Sequence, residues 1–228
     1  MSTSIDDKNN NKGKGLKLIA AGLSRNGTFT LKKAFEILGY KKCYHYFEFF
    51  ENPEHAKYWD QVVDNNDTDW DELFDGYDCA ADVPVVTYIE NIIKKYPDVK
   101  VILNTRDPES WYNSCKNTIF SNEFDFYKNF PWIKKTDMHI EFLNDFNADN
   151  KEAALKFYNN HNAKIRNLIK KENLLDNYNV KDGWKPICDF LKVDVPKIDF
   201  PCKNDSNNFF ENLIEISERV NKKLNNNS

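Results

Sequence analysis

The central part of the chain alternates between short apolar runs and segments with helical periodicity. Three apolar runs predict buried strands: "LKLIAAGL" (Leu16–Leu23), "GYDCAADVP" (Gly76–Pro84) and "VKVILNTRDP" (Val99–Pro108). The last run is nearly continuous, which is typical of a strand covered on both faces in a parallel sheet. A weaker fourth strand is predicted in "LLDNYNVKDG", which begins at Leu174.

The segments between these runs predict helices. In "FTLKKAFEILGY" the apolar residues share one face and a glycine follows them, as at the end of a helix. "VPVVTYIENIIKKYP" and "WKPICDFL" predict further helices, and "DPESWYNSCKNTIF" begins with Asp107 as an N-cap before Pro108. "EAALKFYNNHNAKIRNLIKK" predicts a long helix with Tyr158 and His161 on its apolar stripe. Strands that alternate with helices indicate an α/β domain with helices on both faces of the sheet.

The ends of the chain differ from this pattern. Residues 1–15 are polar and aperiodic, so we expect a disordered arm there, and we expect a disordered tail over 221–228. Residues 16–220 are long enough for one domain with its own core. No apolar run approaches the roughly 20 residues of a membrane helix, so no membrane association is expected.

Composition narrows the range of partners. The 32 basic and 36 acidic residues give a net charge of −4, which provides no general attraction to nucleic acid or anionic membranes. Any anion site must therefore be local. Five cysteines without a C-x-x-C pair, and no secretory pattern at the N-terminus, lead us to expect a reducing, cytoplasmic compartment. Four scattered histidines lead us to expect no metal site.

A pair of glycines follows the first predicted strand. Gly22 and Gly27 in "GLSRNGTF" have the G-x-x-x-x-G spacing of a loop whose amides can surround an anion at a helix N-terminus. A loop that binds nucleoside triphosphates continues with Lys and then Ser or Thr, whereas this chain has Thr28 and Phe29. Phe29 cannot bind Mg²⁺, which disfavours a kinase. The alternative is an ordinary turn in which Arg25 is merely solvated.

A second basic position follows the third predicted strand. In "TRDPESWYNS", Arg106 ends the strand and Ser114 lies two helical turns further on, with Ser110 on the same face. This arrangement could hold a second phosphate. Alternatively, Arg106 pairs with a neighbouring carboxylate. Since the carboxyl ends of parallel strands meet at one edge, we expect "GLSRNGT", "AADVP" and "NTRDP" to converge in space.

Taken in order, "GLSRNGTFTLKKAFEILGY", "VKVILNTRDPESWYNS" and "NVKDGWKPICDFL" resemble the P-loop sulfotransferases, which use 3′-phosphoadenosine-5′-phosphosulfate (PAPS) as sulfuryl donor. The resemblance covers about Leu16 to Asp205. It implies a P-loop-type three-layer α/β domain with a central parallel sheet of about five strands. It also implies a sulfuryl transfer to the hydroxyl of a small-molecule acceptor, without a metal.

The resemblance also implies which residues bind PAPS. Arg25 stands where the family has a lysine, and Arg106 with Ser114 stands where the 3′-phosphate is held. The loop residues implied to hold the 5′-phosphosulfate are Arg25, Asn26, Gly27, Thr28 and Phe29. Asn26 and Phe29 replace small hydroxyl residues of the family pattern. A nucleotide-binding module of the same fold without catalysis is therefore an alternative.

Two residues are expected to carry the reaction. Arg25 would stabilise charge on the departing bridging oxygen, and Asp82 in "AADVP" would take the proton of the acceptor hydroxyl. Asp82 could equally be the N-cap of the next helix.

The remaining polar and aromatic candidates stay open. His45 is the most interesting polar group within "CYHYFEFF", and His161 is either a hydrogen-bonded structural residue or faces the site. The aromatic residues of "CYHYFEFF" and "FYKNFPW" could line an acceptor pocket, although core packing is the better interpretation.

Overall fold

A computed structural model of the protein describes residues 15–119, 150–201 and 209–226. It contains one sheet of five parallel strands in the order β2-β3-β1-β4-β5. The strands are β1 (Leu18–Ala20), β2 (Cys43–Tyr44), β3 (Cys79–Ala81), β4 (Lys100–Asn104) and β5 (Leu174–Tyr178). The α/β fold with a central parallel sheet, as expected from the sequence, is confirmed.

Nine α-helices lie within the described ranges. They are α1 (Thr28–Ile37), α2 (Tyr46–Glu51), α3 (Ala56–Asn65), α4 (Trp70–Leu73), α5 (Ile89–Lys95), α6 (Pro108–Lys116), α7 (Lys151–Leu168), α8 (Trp184–Leu191) and α9 (Phe209–Asn226). None of these helices is long and apolar enough to cross a bilayer.

Several local predictions hold in detail. The apolar face of α1 is buried and Gly39, with a φ of 97°, lies just beyond its end. Asp107 caps α6 by accepting a hydrogen bond from the Ser110 amide, with Pro108 as the first helical residue. Because that hydrogen bond favours the ionised carboxylate, the pKa of Asp107 is lowered.

Other predictions need correction. The helix expected over 83–97 is shorter, because residues 83–88 form turns and α5 begins only at Ile89. The strand β2 was not predicted, since two residues are too few to produce a pattern. Residues 221–226, which were assigned to a disordered tail, continue α9.

Side chains of alternate strand residues build two cores on opposite faces of the sheet. Ile19 and Val101 belong to a core that includes residues of α5, α6, α7 and α9. Leu18 and Ile102 belong to a smaller core formed with α1 and α8. Both faces are thus covered, which explains why the central strands are apolar on both faces, except for Lys100 and Asn104 at the two ends of β4. The glycine loop, defined here as residues 22–27, leaves β1 at the carboxyl edge of this sheet.

Replacing Ile102 by alanine tests the smaller core. Ile102 is fully buried in a central strand, so we expect Ile102→Ala to lower the free energy of unfolding by about 2–5 kcal/mol. Val195→Ala is the control, because 51% of Val195 is exposed and we expect a change of no more than about 0.5 kcal/mol. Urea unfolding measures both values, and equal losses would contradict the assignment of the core.

Candidate functional site

The glycine loop turns the chain from β1 into α1. Gly27, the N-cap of α1, has a φ of 81°, and Arg25 also has a positive φ, of 70°. The amide of Leu31 donates to the Gly27 carbonyl at 3.0 Å and is the first to close the helical ladder. The amides of Thr28, Phe29 and Thr30 precede it and form the positive end of the helix, which is the usual place for an anion.

Asn104, at the end of β4, supports the loop through hydrogen bonds to its backbone. This role was not predicted from the sequence. Asn104 is fully buried. Its Oδ1 accepts a hydrogen bond from the Gly22 amide at 2.8 Å, and its Nδ2 donates to the Asn26 carbonyl at 3.1 Å. A Cβ on Gly22 would lie 2.1 Å from the Asn104 carbonyl oxygen. Gly22 is therefore required by the close approach of β4.

The backbone and side chain of Asn26 form hydrogen bonds within the protein. Its amide N–H donates to the Leu23 carbonyl at 3.2 Å, and its Nδ2 donates to the same oxygen at 2.9 Å. The Tyr158 hydroxyl, from α7, lies 3.3 Å from Asn26 Oδ1 and 2.9 Å from the Arg106 carbonyl. The structure thus places Asn26 as a brace of the loop. Of the loop residues implied to hold the 5′-phosphosulfate, Gly27 and Thr28 have their amides at the start of α1, whereas the Asn26 amide donates within the loop.

Trp111, on α6, also holds the glycine loop in place. Its Nε1 donates to the Ser24 carbonyl at 3.0 Å, and its ring stacks on Tyr158 with centroids 4.5 Å apart. The contribution of Tyr158 to the loop was also missed, because its helical stripe indicated only core packing.

Arg25, Arg106 and Ser114 come together at the carboxyl edge of the sheet. Arg25 Nε donates to Ser114 Oγ at 3.3 Å. Arg106 Nη1 donates to the Arg25 carbonyl at 3.1 Å. Three residues that the sequence assigned to two phosphates therefore lie side by side, with two guanidinium groups beside the N-terminus of α1. The predicted convergence of the loop with the end of β4 is confirmed.

Asp82 follows β3 and accepts hydrogen bonds from both sides of the loop. Oδ1 accepts from Ser24 Oγ and, at 2.7 Å, from the Val83 amide. Oδ2 accepts from Thr28 Oγ1 at 2.7 Å and lies 3.3 Å from His45 Nε2. Asp82 has a φ of 69°, a strained conformation that this set of contacts holds in place. The alternative role of helix N-cap is wrong, because Tyr88 takes that position in α5.

His45 lies one residue beyond β2 and only 3% of it is exposed. Its Nδ1 accepts from the Phe47 amide at 3.4 Å, and its Nε2 lies 3.2 Å from Thr28 Oγ1. Burial lowers the pKa of His45 to about 4, although the carboxylate of Asp82 acts in the opposite direction. The ring is therefore neutral at pH 7, with the proton on Nε2.

Phe29 directs its side chain away from the expected anion position. Its ring packs against His45 and Phe47, with centroid distances of 5.8 Å and 5.3 Å. Lys33 Nζ lies 4.2 Å from the centroid of the same ring. Most aromatic residues of "CYHYFEFF" are buried, as expected for core residues. The other aromatic segment, "FYKNFPW", lies outside the described residues.

His161 has a structural contact. Its Nε2 donates to the Ala21 carbonyl at 2.7 Å, which ties α7 to the end of β1. Burial lowers the pKa of His161 to about 4. Within residues 15–119, 150–201 and 209–226, no group of three or more His, Cys, Asp or Glu side chains is placed to hold a metal ion.

Comparisons with known proteins place this site in a family. The family model described as a sulfotransferase domain matches residues 17–209. The Ava biosynthesis cluster protein M of Aspergillus versicolor is 32% identical over 219 residues, covering 84% of this chain and 83% of that protein. The chain therefore belongs to the sulfotransferase family, and the resemblance noted in the sequence is confirmed at that level.

A crystal structure of a sulfotransferase from Alicyclobacillus acidocaldarius also aligns with the chain. It covers 90% of this chain and 94% of its own, with 14% sequence identity and a TM-score of 0.47.

Substituting Gly22 tests the contact between the loop and β4. We expect Gly22→Ala to destabilise the protein by about 1–3 kcal/mol, because the new Cβ forces the loop away from the Asn104 backbone. Gly76→Ala is the matched control: it has a positive φ but no atom within 4 Å of its Cβ, so it reports backbone strain alone, about 1–2 kcal/mol.

Hydrogen exchange of the loop amides distinguishes the local effect of Gly22→Ala from that of Gly76→Ala. Gly22→Ala should accelerate exchange in residues 22–31, and Gly76→Ala should leave those amides unchanged. Equal acceleration in both variants would contradict the proposed contact.

The lowered pKa values of His45, which is buried, and His161, which is partly buried, predict a dependence of stability on pH. Both have folded pKa values near 4, below the unfolded value of about 6.5, so the unfolded chain binds more protons between these values. Stability should thus fall as pH decreases through this window, on the order of 1–2 kcal/mol per histidine between pH 7 and 5. Urea unfolding at both pH values measures it. His161→Gln should lose less between pH 7 and 5 than the unmodified protein, and an equal loss would contradict the assignment.

Proposed function

We propose that this protein transfers a sulfuryl group from PAPS to a hydroxyl of a small-molecule acceptor. The observation that carries the proposal is the arrangement of Arg25, Arg106 and Ser114 beside the N-terminus of α1. Two cationic side chains next to a row of helix amides suit a ligand with two separate anionic groups. PAPS has such groups, whereas most nucleotides lack a 3′-phosphate.

The 5′-phosphosulfate would lie at the start of α1. The amides of Gly27, Thr28 and Phe29 would bind its oxygens, and Arg25 would reach them from within the loop. The donor set fits this group because it consists of N–H donors, and because the nearby Asp82 carboxylate is occupied by Ser24, Thr28, Val83 and His45. Bound PAPS supplies the sulfuryl group and a phosphate leaving group.

The 3′-phosphate would be held by Arg106 and Ser114. Arg106 uses Nη1 for the Arg25 carbonyl and retains further N–H donors on its guanidinium group. Ser114 lies on α6, which begins directly after the Arg106–Asp107 turn, so the short link between strand and helix fixes their separation.

Arg25 would carry the main electrostatic role in the reaction. As the bond between sulfur and the bridging oxygen breaks, negative charge develops on the phosphate side, and a fixed guanidinium group stabilises it. Asp82 is proposed to accept the proton of the acceptor hydroxyl. Since four donors occupy its oxygens, one must leave first. Thr28 is the natural one, because its hydroxyl lies at the start of α1 where the phosphate would bind.

A small molecule is proposed as the acceptor because of a relative of this chain. The name of the Aspergillus relative refers to a biosynthesis cluster, which is in keeping with a small-molecule acceptor here. The cytoplasmic location expected from the cysteines stays a prediction, as does a binding module without catalysis. A kinase is disfavoured, because Thr28 stands where a triphosphate-binding loop has its lysine, and because Phe29, in place of a hydroxyl that could bind Mg²⁺, packs on aromatic rings.

A titration with nucleotides tests the proposed donor. We expect 3′-phosphoadenosine-5′-phosphate to bind at least about tenfold more tightly than ATP, because only the former offers a phosphate to Arg106 and Ser114. Isothermal titration calorimetry measures both constants. Arg106→Ala should remove the preference, and Arg166→Ala, which changes an exposed pair with Asp176, should retain it. Tighter binding of ATP would contradict the proposal.

Activity separates an enzyme from a binding module. Transfer of ³⁵S-sulfate from PAPS to a panel of phenols and alcohols should be detectable, and Arg25→Ala should lower its rate by about 10²–10³-fold. Arg219→Ala serves as the control, because Arg219 pairs with Glu51 on the outer helices. An unchanged rate in Arg25→Ala would contradict the role of Arg25.

A further inference from the structure

The pairing of Asp82 joins three separate parts of the chain. Its carboxylate contacts Ser24 within the glycine loop, Thr28 at the first position of α1 and His45 beyond β2. The first two contacts fix the shape of the loop directly. The third comes from a residue outside the loop that the family resemblance did not assign to the site.

The neutral ring of His45 is oriented as a donor. Nδ1 faces the amide of Phe47 and can only accept from it, so the proton lies on Nε2. Nε2 points between Thr28 Oγ1 at 3.2 Å and Asp82 Oδ2 at 3.3 Å. Phe29 and Phe47 pack against the ring from two directions, with centroids 5.8 Å and 5.1 Å away. These rings restrict the imidazole to this orientation.

Phe29 helps to hold the His45 ring in this orientation. It departs from the hydroxyl residue of the family pattern, and its ring forms one wall of the space that His45 occupies. The Phe29 ring thus packs against His45, and the N–H donor of His45 lies beside the hydroxyl of Thr28, the first residue of α1.

We propose that His45 is a positioning residue that keeps the Asp82 carboxylate, and through it the glycine loop, in the conformation that binds the anionic donor. The proposal rests on the proposed function for the identity of the ligand. When the Thr28 hydroxyl turns toward a bound phosphate oxygen, Oδ2 of Asp82 loses its shortest donor. The Nε2–H of His45 then remains as the partner of Oδ2, while Ser24 and Val83 still donate to Oδ1, so both oxygens of the buried carboxylate keep a donor.

Two variants of His45 test this role. His45→Phe removes the donor and keeps an aromatic ring among Phe29 and Phe47, whereas His45→Gln retains an N–H donor at a similar reach. We expect His45→Phe to weaken binding of 3′-phosphoadenosine-5′-phosphate by about 10-fold or more, since a hydrogen bond to a buried charge is lost. His45→Gln should stay within about 3-fold of the unmodified protein.

A second readout does not depend on the nucleotide. In the ligand-free protein, His45→Phe should accelerate hydrogen exchange of the amides of residues 22–31, while exchange in β5 and α8 stays unchanged and His45→Gln resembles the unmodified protein. Unchanged affinity and unchanged loop exchange in His45→Phe would overturn the proposal. If the unmodified protein fails to bind the bisphosphate, the proposed function fails, and the exchange result still decides the role of His45.

The unmodified protein offers a third measurement, which applies even if His45→Phe does not fold. Nitrogen-15 NMR of the imidazole ring at pH 7 should find the His45 proton on Nε2. A proton on Nδ1 would overturn the proposal, because no N–H would then face Asp82.

Discussion

The glycine loop keeps its shape because the ends of β3 and β4 supply buried hydrogen-bond partners on both sides of it. Asn104 at the end of β4 binds the loop backbone at Gly22 and Asn26. Asp82 beyond β3 binds the loop hydroxyl of Ser24 and the first helical hydroxyl, Thr28. Both supports exist only because the strands run parallel, so that their carboxyl ends meet at one edge. The sheet therefore determines where the cations and helix amides of the site can lie.

Charge in this molecule is organised locally. The whole chain has a net charge of −4, yet Arg25 and Arg106 lie against each other at the N-terminus of α1. Two like charges repel at short range, and the Arg25 carbonyl, which accepts from Arg106 Nη1, places a backbone dipole beside one of them. Tyr158 and Trp111 hold the surrounding backbone in place from α7 and α6.

Much of the fold could be predicted from the sequence, because strand and helix patterns are local. The runs of β1, β3 and β4 are apolar on both faces, and the cap at Asp107 lies within three residues of its partner Ser110. The supports of the site are different. Asn26 and Tyr158 are 132 positions apart, and Asn104 and Asn26 are 78 apart, so no window of sequence contains both partners. Asn104 also ends an apolar run, where a polar residue would ordinarily mark the end of a strand and nothing more.

Gly27 is fixed by two requirements that do not involve a ligand. It has a φ of 81°, and a Cβ there would lie 2.5 Å from Val180 Cγ1, in the turn that follows β5. A chain with this fold that bound no nucleotide would still need a glycine here, because of the positive φ and the close approach of Val180. The glycine spacing is therefore a poor diagnostic of activity when relatives are compared. The basic residues around it are the better markers, because packing alone gives little reason to keep two arginines together.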